Sequence, residues 1–340
     1  MDGELGVMEP LADCDPAHIG PYCMLARLGV GGMGRVYLAR SPGGRTVAVK
    51  VVLPEYASDT VFRDRFRREV AAARTVEGKH TAPVVDADLE CASPWLATDY
   101  VPGPDLDAAV AAHGPLPEDS LRALGAGLAE ALGDIHRAGL VHRDLKPPNV
   151  LLDVHGPCVI DFGIARAADG SSLTRAGTVI GSPGFMSPEQ ACGDEVTPAS
   201  DVFSLGAVLV FAATGRSPFG DGSTAGMLYQ VVHDDPDLTG VPTSLLKVVR
   251  ACLAKDPAHR PTPSQLVGPD GAAALLTAPA GWLPAGLTAG IALHAETVMR
   301  MDTPAHGYPA APAHPEPARH THGWLGRHFH LRHRPRDAQR

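Results

Sequence analysis

Apolar residues in the first third of the chain fall into short runs separated by turn residues. These runs are rich in branched and aromatic side chains, and a glycine-containing turn follows several of them, which is typical of strands. The segment 102–104 (Pro-Gly-Pro) then predicts a break in the chain. The pattern predicts strands over 22–28, 37–40, 47–52, 80–85 and 95–101.

Three other segments carry apolar residues three or four positions apart, the spacing of one helix face. They predict helices over 60–74, 117–138 and 286–300. Glycines inside the second segment lower its helix propensity, so tertiary packing must hold it. The predicted apolar faces consist of Phe62, Phe66, Val70 and Ala73 in the first helix, Leu121, Leu124, Leu128, Leu132 and Ile135 in the second, and Leu287, Ile291, Ala295 and Val298 in the third.

Both ends of the chain lack this periodicity. Residues 1–17 mix acids, glycine and proline and predict a flexible leader, with order expected from about Ile19. Residues 269–300 predict a helical extension of the main domain. Residues 301–340 are rich in Pro, His and Arg and carry too little apolar surface to fold alone, so we expect a disordered tail. The positive charge of this tail permits contacts with acidic partners, and a simply solvated tail is the alternative.

Composition restricts the functional classes. The formal net charge of -9 argues against nucleic-acid binding by the body of the protein. Six scattered cysteines without a C-x-x-C pair indicate free thiols in a reducing compartment. The most apolar stretch, 202–213, is shorter than the about 20 residues that cross a bilayer, and no secretory signal is evident. We therefore predict a cytoplasmic protein without a transmembrane segment.

Residues 142–163 combine the polar groups that phosphoryl transfer requires. The octapeptide HRDLKPPN (142–149) is followed by an apolar run and then by Asp161-Phe162-Gly163. Phosphoryl transfer spreads negative charge over oxygen atoms, so a protein must supply metal ligands, a cation and a proton acceptor. Two carboxylates, an ammonium group and an amide in this segment meet those needs.

These motifs resemble the catalytic and metal-binding loops of bacterial eukaryotic-like (Hanks-type) serine/threonine protein kinases. The resemblance implies an α+β, bilobal protein-kinase domain over 18–268. It implies a small β-sheet N-lobe with one helix over 18–102 and a larger, mainly helical C-lobe over 103–268. It also implies ATP as the phosphoryl donor and Mg²⁺, or alternatively Mn²⁺, as the metal.

The resemblance assigns roles to four polar residues of these loops. Asp144 would accept the proton of the substrate hydroxyl, and Lys146 would steady the γ-phosphate. Asn149 and Asp161 would hold the metal.

The glycines at 29, 31 and 34 precede a predicted strand. The pattern G-x-G-x-x-G also marks dinucleotide-binding turns, but there a helix follows the glycines. Gly29, Gly31 and Gly34 therefore resemble the kinase loop in which the backbone lies over phosphates without a side chain in the way.

Lys50 interrupts a strand of β-branched residues and, on propensity alone, would be a solvent-facing edge residue. Its position after the glycine hairpin resembles that of the lysine that contacts the α- and β-phosphates and pairs with a helix glutamate. Glu69, which borders the apolar face of the first helix, is the expected partner. Glu55 and Glu77 are the alternatives.

The same resemblance outlines an adenine pocket. Thr98 would guard its back, and the backbone of Asp99 and Val101 would hydrogen-bond the adenine edge. The apolar residues expected to sandwich the ring are Leu28, Val36, Ala48 and Leu151.

The Ser-, Thr- and Gly-rich segment after Gly163 resembles an activation segment. Thr174 and Thr178 are candidate autophosphorylation sites, and Arg143 is of the kind that pairs with such a phosphate. Ser182 matches the hydroxyl residue of the substrate-acceptor subsite.

Three residues are expected to have structural roles by resemblance. Asp201 would brace the catalytic loop from below. Glu189, in the Ser-Pro-Glu sequence that ends the activation segment, and Arg260 would form an ion pair.

The motifs together predict a serine/threonine protein kinase that acts on protein substrates. A nucleotide-binding pseudokinase scaffold is one alternative, against which the intact Lys50, Asp144, Asn149 and Asp161 argue. A small-molecule phosphotransferase is the other, against which the Ser-Pro-Glu segment and Arg260 argue. Pairing of two copies through the N-lobe is consistent with the resemblance.

Overall fold

The computed structural model of the chain describes residues 8–31, 34–162, 183–267 and 281–301. Within these ranges a sheet with two helices forms a small lobe, and helices with one hairpin form a large lobe. This architecture confirms the predicted α+β bilobal fold. Thr174, Thr178, Ser182 and the tail after Met301 lie outside the described residues.

Six strands form the sheet of the small lobe, in the order β1-β2-β3-β4-β6-β5. Every neighbouring pair is antiparallel. This arrangement places β3, which begins at Gly34, directly beside the strand that carries Lys50, and β2 with Gly29 and Gly31 one strand further away. The strands are β1 (His18–Ile19), β2 (Tyr22–Gly31), β3 (Gly34–Arg40), β4 (Thr46–Val52), β5 (Val84–Asp88) and β6 (Trp95–Asp99).

Two helices, α1 (Pro54–Ala57) and α2 (Thr60–Ala73), follow β4. Asp59 caps α2 because its carboxylate accepts hydrogen bonds from the backbone N–H groups of Val61 (2.8 Å) and Phe62 (3.2 Å). The helix prediction over 60–74 is confirmed, including its apolar face. The buried residues of α2 are Phe62, Phe66, Val70 and Ala73.

The prediction of a flexible leader is wrong for residues 8–17, which pack against the small lobe. Glu9 and Arg27 exchange two backbone hydrogen bonds of 3.0 and 2.8 Å. The side chain of Asp15 is fully buried and accepts hydrogen bonds from Arg27 (2.6 Å) and from the Tyr37 hydroxyl (2.8 Å). Both donors lie in the sheet, so the leader's own sequence held no sign of this anchorage.

The large lobe consists of helices around the hairpin β7 (Val150–Asp153) and β8 (Gly156–Val159). No helix in the described ranges combines the length and apolarity that a bilayer crossing needs. The predicted helices over 117–138 and 286–300 are confirmed as α4 and α10. The helices are α3 (Leu106–His113), α4 (Glu118–Arg137), α5 (Pro188–Cys192), α6 (Pro198–Thr214), α7 (Thr224–His233), α8 (Thr243–Cys252), α9 (Pro263–Val267) and α10 (Ala285–Arg300).

Close packing of α4 against β8 accounts for the glycine at position 127. A Cβ atom on Gly127 would overlap the ring of Pro157.

The backbone N–H of Val159 donates to the His80 carbonyl (2.8 Å), and that of Ala82 donates to the Val159 carbonyl (3.3 Å). The segment 80–82 therefore pairs with the large lobe, so the strand predicted over 80–85 is wrong in its bounds and β5 begins at Val84.

The predicted ion pair of Glu189 and Arg260 lies inside the large lobe. The guanidinium binds the carboxylate through two contacts of 2.6 and 2.8 Å, and neither side chain is more than 7% exposed. Ser200 donates a further hydrogen bond of 2.6 Å to Glu189. Burial alone would raise the pKa of Glu189, but the hydrogen bonds from Arg260 and Ser200 hold it below its ordinary value.

Arg260→Ala should lower the free energy of unfolding by about 3 to 5 kcal/mol, because the substitution leaves a buried carboxylate without its cation. Glu296→Ala is the matched control, since it removes an exposed pair with Arg300 that should contribute less than about 1 kcal/mol. Denaturant unfolding followed by circular dichroism measures both variants. Equal, small losses in the two variants would contradict the role given to the buried pair.

Candidate active site

A cavity of about 310 Å³ lies between the sheet of the small lobe and the hairpin β7–β8. Gly29, Lys50 and Asp161 reach it, whereas Gly31 and Gly34 are not among its lining residues. Gly34 is required for another reason, because a Cβ atom there would overlap the carbonyl oxygen of Val51. All the residues expected around an adenine ring line the cavity: Leu28, Val36, Ala48, Thr98, Asp99, Val101 and Leu151.

Lys50 and Asp161 form an ion pair across the cleft between the lobes. Lys50 lies in the middle of β4, and its Nζ is 2.8 Å from Oδ2 of Asp161, which follows β8. Burial tends to raise the pKa of Asp161, but the Lys50 ammonium outweighs it and holds the pKa below its ordinary value. Asp161 is thus ionised at neutral pH, as a metal ligand must be.

The catalytic loop brings Asp144, Lys146 and Asn149 together. The Lys146 ammonium lies 2.9 Å from Oδ2 of Asp144. The buried Asn149 donates through Nδ2 to the Asp144 carbonyl (2.8 Å) and to its carboxylate (3.3 Å). These contacts orient the Asp144 carboxylate from two sides.

His142 connects this loop to the segment that follows β8 and contains Asp161. Its Nδ1 accepts a hydrogen bond of 3.2 Å from the backbone N–H of Asp144, so Nε2 carries the proton and donates to the Ile160 carbonyl (3.2 Å). Burial lowers the pKa of His142, which keeps the imidazole neutral. His142 therefore connects the backbone at Asp144 to the residue that precedes Asp161.

Asp201 lies beneath the catalytic loop, at the start of α6. Its carboxylate is 1% exposed and accepts hydrogen bonds from the backbone N–H groups of His142 and Arg143, each 2.8 Å long. His136 on α4 lies 2.7 Å from the same carboxylate, and Gln190 on α5 donates to the Arg143 carbonyl (2.8 Å). These contacts hold the backbone of Arg143 at a φ of 65°, which residues other than glycine rarely adopt.

The predicted ion pair between Lys50 and Glu69 is absent from this structure. Lys50 is held by Asp161, and Oε2 of Glu69 is buried without a hydrogen bond. Burial raises the pKa of Glu69 to about 7, although the positive charges of Arg143 and Arg65 oppose the increase. The prediction of this pair is wrong for this conformation, because the Lys50 ammonium binds Asp161 instead.

A family model described as protein kinase domain matches residues 22–270, which is most of the chain. The chain belongs to this family. The matched residues include strands β2 to β6, the catalytic loop and most of the residues that line the cavity, but not Met8 or His294.

Two similar proteins come from bacteria. The chain is 55% identical over 261 residues to a protein named "Probable serine/threonine-protein kinase PkwA" from Thermomonospora curvata, and the match covers 77% of this chain and 35% of the relative. It is 52% identical to the serine/threonine-protein kinase AfsK from Streptomyces coelicolor, over 76% of this chain and 33% of AfsK. The chain thus spans about a third of the length of these relatives.

The kinase domain of PknI from Mycobacterium tuberculosis is similar in structure. Its crystal structure matches at 30% sequence identity with a TM-score of 0.57, covering 76% of this chain and 94% of the PknI chain. The part of this protein that matches is the bilobal domain described above.

A protein kinase domain implies the use of ATP and a divalent metal, and the donor atoms present here fit such an ion. Asn149 uses its amide nitrogen to bind Asp144, which leaves the amide oxygen for a cation. Asp161 supplies a carboxylate at the cavity wall. Carboxylate and amide oxygens are ligands that Mg²⁺ accepts in proteins.

Sequence motifs missed several residues that hold this kinase site in place. His136 and Gln190 contact the catalytic loop or its support, but neither lies in a motif with a chemical signature. Tyr100 and His294 also line the cavity. The helical spacing of 286–300 predicted a helix, but nothing in that spacing indicated that the helix reaches the cavity.

Glu69→Gln should change how stability depends on pH. Between the ordinary pKa of 4.5 and the raised value of about 7, the folded protein keeps a proton on Glu69 that the unfolded chain has released. The wild-type protein therefore loses stability from this group as the pH rises through that window. The variant, which cannot ionise there, should unfold at a higher temperature than the wild type at pH 8 and at a similar temperature at pH 5.

The control for this measurement is the exposed Glu77→Gln. Thermal unfolding of all three proteins is measured from pH 5 to pH 8 without nucleotide. If Glu69→Gln and the wild type show parallel curves over that range, Glu69 is not the buried acid described here.

Proposed function

We propose that this chain is a serine/threonine protein kinase that transfers the γ-phosphoryl group of Mg–ATP to Ser or Thr hydroxyls of proteins. The observation that carries the proposal is that Lys50 and Asp161 pair at the cavity wall. Asp144, Lys146 and Asn149 contact one another on the loop whose Pro148 also lines this cavity. The catalytic loop and the lysine of strand β4 both contribute to this group. The names of the relatives support the same substrate class.

Each of these side chains has a chemical task in the proposal. Asp144, oriented by Lys146 and Asn149, accepts the proton of the attacking hydroxyl. Lys146 and Lys50 place positive charge where negative charge develops on the phosphates. Asn149 and Asp161 hold Mg²⁺, or alternatively Mn²⁺, which neutralises phosphate charge when it is bound.

The cavity supplies the nucleotide site in this proposal. The side chains of Leu28, Val36 and Ala48 offer apolar surface to a purine ring, and Leu151 offers it from the opposite lobe. The backbone of Asp99 and Val101 provides the polar edge for the base. Protein substrates, pairing through the small lobe and binding of acidic partners by the tail stay predictions.

Lys50→Ala and Asp144→Asn should each lower kcat by at least about a hundredfold, because each removes a charged group that acts in the transition state. Transfer of label from radioactive ATP to a generic basic protein measures the rate. Matched controls are the exposed Lys247→Ala and Asp221→Asn, which should retain wild-type rates.

Two outcomes would overturn the proposed activity. Nucleotide binding by the wild type without any transfer would indicate a pseudokinase scaffold. Transfer to small amines or alcohols, with no label in protein, would indicate a small-molecule phosphotransferase.

We also propose activation by autophosphorylation at Thr174 or Thr178. Arg143 precedes Asp144, and its guanidinium is near enough to Glu69 to oppose the increase in that group's pKa. A phosphothreonine that paired with Arg143 would thereby act close to the catalytic loop. Mass spectrometry after incubation with Mg–ATP should find phosphate on one of these threonines. Full activity of a protein in which neither threonine is phosphorylated would contradict the proposal.

A further inference from the structure

The helix α10 lies outside the residues that the kinase family model matches, yet it is fixed firmly to the large lobe. Just before the helix, Trp282 donates from Nε1 to the Asp153 carbonyl (2.9 Å), and the Ser120 hydroxyl donates to the Trp282 carbonyl (2.5 Å). Leu287 and Ile291 are buried in the core of the large lobe. The first half of α10 is therefore an integral part of that lobe.

The other end of α10 is fixed to the small lobe. Arg40, at the end of β3, donates to the carbonyls of Val298 and Met301, both at 3.1 Å. A guanidinium at this position also complements the negative end of the helix dipole. Val298 is 3% exposed and packs on Ala26 and Leu38 of the sheet. The helix thus links the two lobes by a second route, separate from the connecting segment 100–104.

His294 lies between these two anchors and contacts the connecting segment itself. Its Nε2 shares a hydrogen bond of 2.6 Å with the hydroxyl of Tyr100, and both side chains line the cavity. Burial raises the pKa of Tyr100 to about 12 and lowers the pKa of His294, so both groups are neutral near pH 7. Tyr100 is therefore held on the cavity wall by a residue that lies outside the matched domain.

A second wall residue also rests on this helix. Leu28, which lines the cavity above the expected position of the base, packs in one apolar cluster with Tyr100 and Met301. Met8 from the amino-terminal segment belongs to the same cluster. Displacement of α10 would consequently leave two cavity-lining side chains without support on their outer faces.

We propose that α10 forms part of the nucleotide site and that His294 is a positioning residue for ATP affinity, acting through Tyr100. This inference rests on the proposed kinase function and deepens it, because it assigns part of the cavity wall to a helix outside the matched kinase domain. The contacts that α10 makes near the cavity are with Tyr100 of the connecting segment and with the apolar cluster that contains Leu28. The helix is therefore expected to affect nucleotide binding and not the phosphoryl-transfer step.

His294→Ala should raise KM for ATP about tenfold, the effect of losing one partly buried hydrogen bond, while kcat stays within about twofold. Tyr100→Phe should raise KM to a similar extent. The double variant should be no weaker than either single variant, because both remove the same interaction. His294→Gln, which keeps a side-chain hydrogen-bonding group, should recover part of the affinity.

Leu293→Ala is the matched control, since Leu293 is on the same helix and is 66% exposed. Calorimetric titration of each full-length variant with Mg–ATP measures affinity directly, and thermal unfolding establishes that each is folded. The split between KM and kcat separates positioning of the nucleotide from a general loss of structure, which would lower kcat as well.

An unchanged ATP affinity in both His294→Ala and Tyr100→Phe would overturn the inference. Tighter binding would also overturn it, because α10 would then obstruct the cavity. In either case a wild-type enzyme that binds and transfers leaves the proposed kinase function intact. If the wild type neither binds ATP nor transfers phosphate, the proposed function fails and the inference fails with it.

Discussion

The buried carboxylate of Asp201 is the constraint on which the geometry of the active site depends. A carboxylate that is 1% exposed must find donors inside the protein, and here the backbone of the catalytic loop supplies two of them. The loop is therefore held against α6 and α4, with Arg143 in an unfavourable backbone conformation that the surrounding contacts maintain. Asp144, the next residue, takes its position from this arrangement.

The distribution of charge in the cleft explains why the site has the form observed. The ammonium group of Lys50, on the small lobe, pairs with the Asp161 carboxylate of the large lobe. Burial raises the pKa of Glu69, whose Oε2 is buried without a hydrogen bond, because a charged carboxylate is unfavourable away from water. A metal ion bound to Asp161 would compete with Lys50 for the Asp161 carboxylate.

The segments at either end of the domain add structure to the kinase fold in this chain. Residues 8–17 add a buried carboxylate to the sheet, and α10 joins the lobes beside the connecting segment. Both reach the same apolar cluster near the cavity. The part of the chain that resembles its relatives thus contains the chemistry, while the flanking segments contribute to the walls around it.

Much of this protein could be predicted without coordinates. The spacing of apolar residues predicted α2, α4 and α10, because a helix with one buried face has apolar residues three or four positions apart. The polar motifs determined which side chains would meet at the cavity, since phosphoryl transfer requires those groups. The leader and the start of β5 were predicted wrongly because their partners, Arg27 and Val159, lie elsewhere in the chain.

The sequence by itself indicated most of the helices and strands and, through its motifs, the protein kinase family. Only the tertiary structure decided which carboxylate holds Lys50, which histidine supports Asp201 and which helix closes the cavity wall. Lys50 and Asp161 are 111 positions apart, and Tyr100 and His294 are 194 apart. Local periodicity indicates which side chains of one helix or strand are buried. These long-range pairings depend instead on how separate elements pack together and on which charged groups that packing buries.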